Sequence, residues 1–157
     1  MASVKAVPVG YTTVTPSIAF RDAAKAIEFY KKAFGAKERE RHLDPDGKIM
    51  HAEITIGNSI VMLSDEVMGL RSAESLGNSP VSFYVYIENV DAACQKAVAA
   101  GAKQPNPVAD MFWGDRVGQV VDPFGYKWTI ASHVKDLTPE QMKKGQEDWL
   151  KQMAGAR

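Results

Sequence analysis

Ala33-Phe34-Gly35-Ala36-Lys37 and Ala99-Ala100-Gly101-Ala102-Lys103 are two renderings of one stretch, 66 residues apart. In each, an Ala-rich helical run ends at a glycine and passes into a strand-like run. Glycine adopts a positive φ without a Cβ clash, so it stops a helix cleanly. A chain of 157 residues that repeats a helix-to-strand unit reads as two copies of one module. The predicted fold is α+β: two βαβββ modules forming a curled mixed sheet around a cavity, with a C-terminal helix.

The rest of the sequence fits this echo. Val14 to Phe20 reads as a first strand, and Asp22 as the N-cap of a helix over Ala23–Phe34. Ala26, Ile27, Tyr30, Ala33 and Phe34 recur at helical spacing and form its apolar face. Strands are predicted near Lys37–Leu43, Lys48–Ile56 and Ser59–Leu63, with turns at Asp44-Pro45-Asp46-Gly47 and Gly57-Asn58. Asp65 to Pro80 reads as irregular. The second module repeats the order: a strand over Val81–Ile87, a helix over Val90–Ala100, then strands near Lys103–Val108, Arg116–Val121 and Lys127–Ser132. Asp122-Pro123-Phe124-Gly125 is a turn with no catalytic role. Thr138-Pro139-Glu140-Gln141 opens a capped tail helix with Met142, Trp149, Leu150 and Met153 on one stripe. The boundaries that follow are 11–66 for the first module, 67–79 for a linker, 80–134 for the second module and 135–157 for the tail.

Composition excludes several classes. Nineteen basic and nineteen acidic side chains give a formal net charge of zero, which argues against a nucleic-acid surface. No apolar run reaches the roughly 20 residues of a membrane span. Met1 to Tyr11 has no apolar core of signal-peptide length, so the expected location is cytoplasmic. Cys94 is the single cysteine; it allows no internal disulfide and reads as a small buried residue on its helix.

Strand alternation separates two faces. Val14, Pro16, Ile18 and Phe20, then Met50, Ala52, Ile54 and Ile56, then Val81, Phe83, Val85 and Ile87, form apolar faces for the helices. The opposite faces are mixed. Tyr84 and Tyr86 offer stacking surface and hydroxyls there. His51 and Glu53 point the same way and offer either two metal ligands or a base with its orienting carboxylate. The same pair also reads as an ordinary strand pattern. His133 shares the face of Thr129 and is a possible third ligand. Asp115-Arg116 reads either as a clamp for an anionic group, through the Arg, or as an ion-pair network that fixes a loop. Trp113 reads as a ligand contact or as core or interface. His42, before its turn, is expected in solvent.

Phe29-Tyr30, Phe34-Gly35-Ala36, Ile49-Met50-His51-Ala52-Glu53, Phe112-Trp113-Gly114-Asp115-Arg116 and Asp122-Pro123-Phe124-Gly125-Tyr126-Lys127-Trp128 follow in this order. Together they resemble the vicinal oxygen chelate superfamily of glyoxalases, bleomycin-resistance proteins and dioxygenases. The likeness is to its PhnB-like branch and covers roughly Tyr11 to Val134. The resemblance implies the paired-module fold and homodimers with cavities between modules of different chains. In the superfamily's enzymes, His, Glu or Gln ligands come from corresponding strands. Those positions fall here on Thr15, Ser82 and Thr129, which are poor ligands for a divalent ion.

The resemblance therefore implies a metal-independent small-molecule binder of the sequestration type, with Tyr84, Tyr86, Trp113, Asp115 and Arg116 as ligand contacts and no cofactor. The alternative is a metal-dependent lyase or isomerase of the glyoxalase type, with a divalent metal ion at an atypical His51/Glu53 site. Proteins resembling this branch are often labelled demethylubiquinone methyltransferases. No glycine-rich strand-to-helix turn of a methyl-donor nucleotide site supports that label here.

Overall fold

A computed structural model describes residues 4–156. β1 (Ser17–Phe20), α1 (Ala23–Phe34), β2 (Lys37–Leu43), β3 (Ile49–Ile56) and β4 (Ser59–Asp65) make the first module. A short helix α2 (Ala73–Leu76) follows, capped by Ser72, where the sequence predicts irregular chain. β5 (Ser82–Tyr86), α3 (Val90–Ala99), β6 (Ala109–Asp110), β7 (Asp115–Val121) and β8 (Lys127–His133) make the second module, and α4 (Pro139–Gly155) closes the chain. The sheets have orders β1-β4-β3-β2 and β5-β8-β7-β6, curled but not closed. In each, the first strand runs parallel to the last and the others are antiparallel. The echo in sequence is thus an echo in hydrogen-bonded topology.

Local chemistry explains the elements. The Asp22 carboxylate accepts from the Lys25 N–H at 3.0 Å and starts α1. Gly35, at φ 65°, ends it. Asp65 accepts from the N–H groups of Ala23 and Ile49, tying the start of α1 to the start of β3. α3 lies close on β7 because Gly118 has no side chain: a Cβ there would stand 2.3 Å from the Cys94 Sγ.

Three predicted features shift. β1 begins at Ser17 and not Val14. Pro16 has no N–H for the ladder, and Thr12 to Thr15 fold into side-chain-stitched turns that leave Val14 exposed. The predicted strand over Lys103–Val108 is reduced to one bridge between Lys103 and Val121, with β6 only at Ala109–Asp110. Pro105 and Pro107 interrupt that run. In β3, Ile49 and not Met50 enters the core, because a register shift between His42 and Leu43 pairs Leu43 with Ile49.

One hydrophobic core serves both modules. Phe20, Ile27, Tyr30 and Leu63 join Val120, Phe124, Trp128 and Ile130 in a single buried cluster. Phe20 meets Phe124 edge-on at 5.5 Å, and Phe34 lies 4.8 Å from Trp128. The buried Asp122 carboxylate accepts from Tyr30 Oη at 2.6 Å, from Trp128 Nε1 at 3.0 Å and from the N–H groups of Phe124 and Tyr126. The Asp122 turn is thus the joint between modules. The helix-covered faces of both sheets point into this core, and their mixed faces turn away from it. No helix among the described residues is long and apolar enough to cross a membrane.

Candidate functional site

Two polar clusters stand on the mixed faces, one per sheet. The second-module cluster is built around Asp115, the first residue of β7. Gly114, at φ 95°, makes the turn into it; a Cβ there would stand 2.1 Å from the Lys135 carbonyl oxygen. The N–H groups of Val134 and Lys135 both donate to the Gly114 carbonyl, stitching the end of β8 to this turn. Register sets His133 opposite Asp115, and Tyr84 and Tyr86 opposite Thr129 and Ala131.

The result is a converging set. Tyr84 and Tyr86 donate their hydroxyls to Asp115 Oδ2 at 2.8 and 3.1 Å. His133 Nδ1 lies 2.8 Å from Asp115 Oδ1, and its Nε2 lies 3.0 Å from Asp136. Trp113 Nε1 donates to Tyr84 Oη at 3.4 Å. Asp115 is 3% exposed, yet Tyr84 and Tyr86 are 47% and 64% exposed. Burial alone raises the carboxyl pKa of Asp115, but the bonds from His133, Tyr84 and Tyr86 outweigh it and hold the pKa below its ordinary value. Desolvation and the Asp115 charge push Tyr84 up to about 12, against a weaker lowering by Trp113, so its hydroxyl keeps its proton. Hydrogen bonds to Asp115 and Asp136 raise the His133 pKa.

Arg116 stands apart from this set. As the next residue on a strand it faces the other side of the sheet. There it donates from Nε and Nη2 to Asp91 at 2.8 and 2.9 Å, and from Nη1 to Asp110 at 2.9 Å. These ion pairs tie β7 to α3 and β6, which matches the network reading of Arg116 and leaves the clamp reading without a free guanidinium.

The first-module cluster forms on β2 and β3. Glu53 is 2% exposed. Its Oε1 accepts from Tyr11 Oη and lies 3.3 Å from His51 Nε2, while Arg39 Nε lies 3.6 Å from Oε2. The Arg39 guanidinium also sits 5.4 Å from the Tyr11 ring centre. Glu40 Oε1 lies 3.6 Å from His51 Nε2 and 3.7 Å from His42 Nε2. Burial raises the Glu53 pKa, but Tyr11, His51 and Arg39 together hold it below its ordinary value. Sequence reading finds His51 and Glu53 but misses Tyr11, Arg39 and Glu40. A bulge between Glu38 and Glu40 pairs Glu40 with Glu53, and a bulge leaves no periodic trace. His133 is not part of this cluster; it stands on the other sheet.

The superfamily's metal positions do not form a donor set here. Thr15 precedes β1, Ser82 pairs with Lys127, and Thr129 pairs with Tyr84 and Gln119. Hydroxyl side chains are poor ligands for a divalent transition metal.

Residues 10–130 match the family described as the Glyoxalase/Bleomycin resistance protein/Dioxygenase superfamily. The chain belongs to this superfamily. Among its relatives, the uncharacterized protein Rv0887c of Mycobacterium tuberculosis is 38% identical over 135 residues, spanning 83% of this chain and 79% of that protein. The crystal structure of Arabidopsis thaliana At5g48480 superposes with a TM-score of 0.64 at 30% identity, covering 77% of this chain and 98% of that one. TioX from Micromonospora sp. ML1 superposes with a TM-score of 0.62 at 25% identity, covering 81% and 100%. The two-module topology of this glyoxalase-superfamily chain is therefore shared with solved relatives.

Proposed function

We propose that this protein is a metal-independent small-molecule binder of the sequestration type, in the PhnB-like and bleomycin-resistance-like part of the superfamily. The observation that carries the reading is the fixed aromatic set of Tyr84, Tyr86 and Trp113. Hydrogen bonds to the buried Asp115 hold the tyrosine rings in place while leaving much of them exposed. Rings held in a binding geometry lose little entropy when a planar ligand stacks on them. An apolar cleft of about 410 Å³ runs along β5 between the modules, lined by Phe34, Val61, Phe83, Tyr84, Tyr86 and Trp128 among others. That volume suits a small aromatic or amphipathic ligand.

A second copy of the chain would close the open faces. β1 and β5 are edge strands, and Val14, Val81, Tyr84 and Tyr86 expose apolar surface beside them. Unpaired edges of this kind favour pairing between chains, which supports a homodimer.

The test is fluorescence titration of the untagged full chain with planar aromatic compounds, bleomycin included, with and without chelator. Saturable quenching that persists in chelator and falls at least about tenfold in Tyr84→Leu supports the reading; a tenfold loss is about 1.4 kcal/mol, within the range of a stacked aromatic contact. Binding abolished by chelator would overturn it and favour the metal-dependent lyase or isomerase. That second reading draws its support from the gathering of Glu40, His51 and Glu53, and would be pursued with hemithioacetal substrates.

A further inference from the structure

We propose that Glu40, His51 and Glu53 bind one divalent transition-metal ion of the zinc class on the outer face of β2 and β3. The distances carry the argument. With metal–ligand bonds of about 2.0–2.2 Å, neighbouring donor atoms of a tetrahedral site stand about 3.3–3.6 Å apart. His51 Nε2 lies 3.3 Å from Glu53 Oε1 and 3.6 Å from Glu40 Oε1. The two His51 separations match the edges of such a ligand polyhedron. One donor atom from each of Glu40, His51 and Glu53 lies within 4.8 Å of the others.

The surroundings fit the same role. Glu53 Oε1 has two lone pairs, so the Tyr11 hydroxyl can hold one and orient the other toward the ion. Arg39 approaches the other oxygen, Oε2. The Glu40 and His51 side chains are 48% and 37% exposed, so an ion can enter from solvent. Imidazole with two carboxylates is a donor set for zinc, manganese or iron rather than for calcium or magnesium. The fourth position is left to water. The site lies on the opposite sheet from Tyr84 and Asp115, and so stands or falls separately from the ligand reading.

The experiment is metal counting on the untagged full chain, dialysed against zinc and, separately, manganese. Close to one zinc per chain, with a raised melting temperature, is the expected result. His51→Gln and Glu40→Gln, both at partly exposed side chains, should weaken uptake by more than about tenfold, a loss that even an outer-shell partner can cause. Cobalt in place of zinc supplies a readout independent of any activity: a tetrahedral visible band in the native chain, absent from both variants. Sub-stoichiometric zinc, an aqueous cobalt spectrum, or variants that bind as tightly as the native chain would each overturn the proposal. If either variant misfolds, the cobalt spectrum of the native chain decides.

Discussion

His133 gives this protein a pH response of its own. Its bonds to Asp115 and then Asp136 raise its pKa above the ordinary 6.5. A proton that is held more tightly in the folded state stabilises that state. The contribution is complete below the unfolded value and is lost as pH rises through the folded one. Stability is therefore expected to fall as pH climbs above about 6.5, and His133→Gln should flatten that limb. Urea denaturation at a series of pH values measures both; parallel profiles would assign the limb to another group. Asp115 works with the opposite sign. Its lowered pKa contributes above the ordinary 3.8 and is lost as pH falls through the folded value. Tyr11 is a second telling residue. Tyr11→Phe removes the hydroxyl on Glu53 and leaves His51 and Glu40 in place. With metal bound as proposed, zinc affinity should drop by about ten- to a hundredfold in equilibrium dialysis; unchanged affinity would show that the hydroxyl orients nothing.

At the scale of elements, the seat of α3 on β7 depends on the space at Gly118. Gly118→Ala should cost about 1–3 kcal/mol by overpacking against Cys94. Adding Cys94→Ala should return part of that loss, which a double-mutant cycle in urea would read as a coupling between the two sites. No recovery would mean that Val108, also close to a Cβ at 118, carries the clash. How legible each element was in the sequence follows from the range of the forces that shape it. α1 could be read from end to end because Asp22 and Gly35 act within a turn of the helix they bound. The interruption near Pro105 and Pro107 was equally local. The bulge at Arg39 is different. It is set by how β2 meets β3, a tertiary fit with no local signal, and so Glu40 could not be placed beside His51 from sequence. The strand was read from Arg116 and not from Asp115, so the opposite facing of the two was missed, and the tie between Arg116 and Asp91 required knowing that α3 crosses β7. The shared face of Tyr84 and Tyr86 was legible from alternation, but their convergence on Asp115, from a strand far away in sequence, was not.

For the whole molecule, the Asp122 joint decides whether the modules behave as one unit. Tyr30 crosses from the first module to reach it. Tyr30→Phe should cost about 1–3 kcal/mol by leaving a buried acceptor short of a donor, and Asp122→Ala more than about 3 kcal/mol because it strands the Tyr30 hydroxyl, the Trp128 indole and two backbone N–H groups. Because the core is shared, native unfolding should be a single transition by both fluorescence and circular dichroism; two separated transitions would mean that the modules stand independently. Sedimentation velocity tests the proposed pairing of chains, with a dimer expected at micromolar concentration and a monomer counting against it. The two mixed faces, turned away from the common core, have a genetic consequence if chains pair with the first module of one against the second module of the other. A Tyr84 variant, impaired in ligand binding, and a His51 variant, impaired in metal binding, would form mixed assemblies in which one compartment carries both lesions and the other carries neither. A cell making both variants would then hold one compartment per mixed dimer with both sites intact.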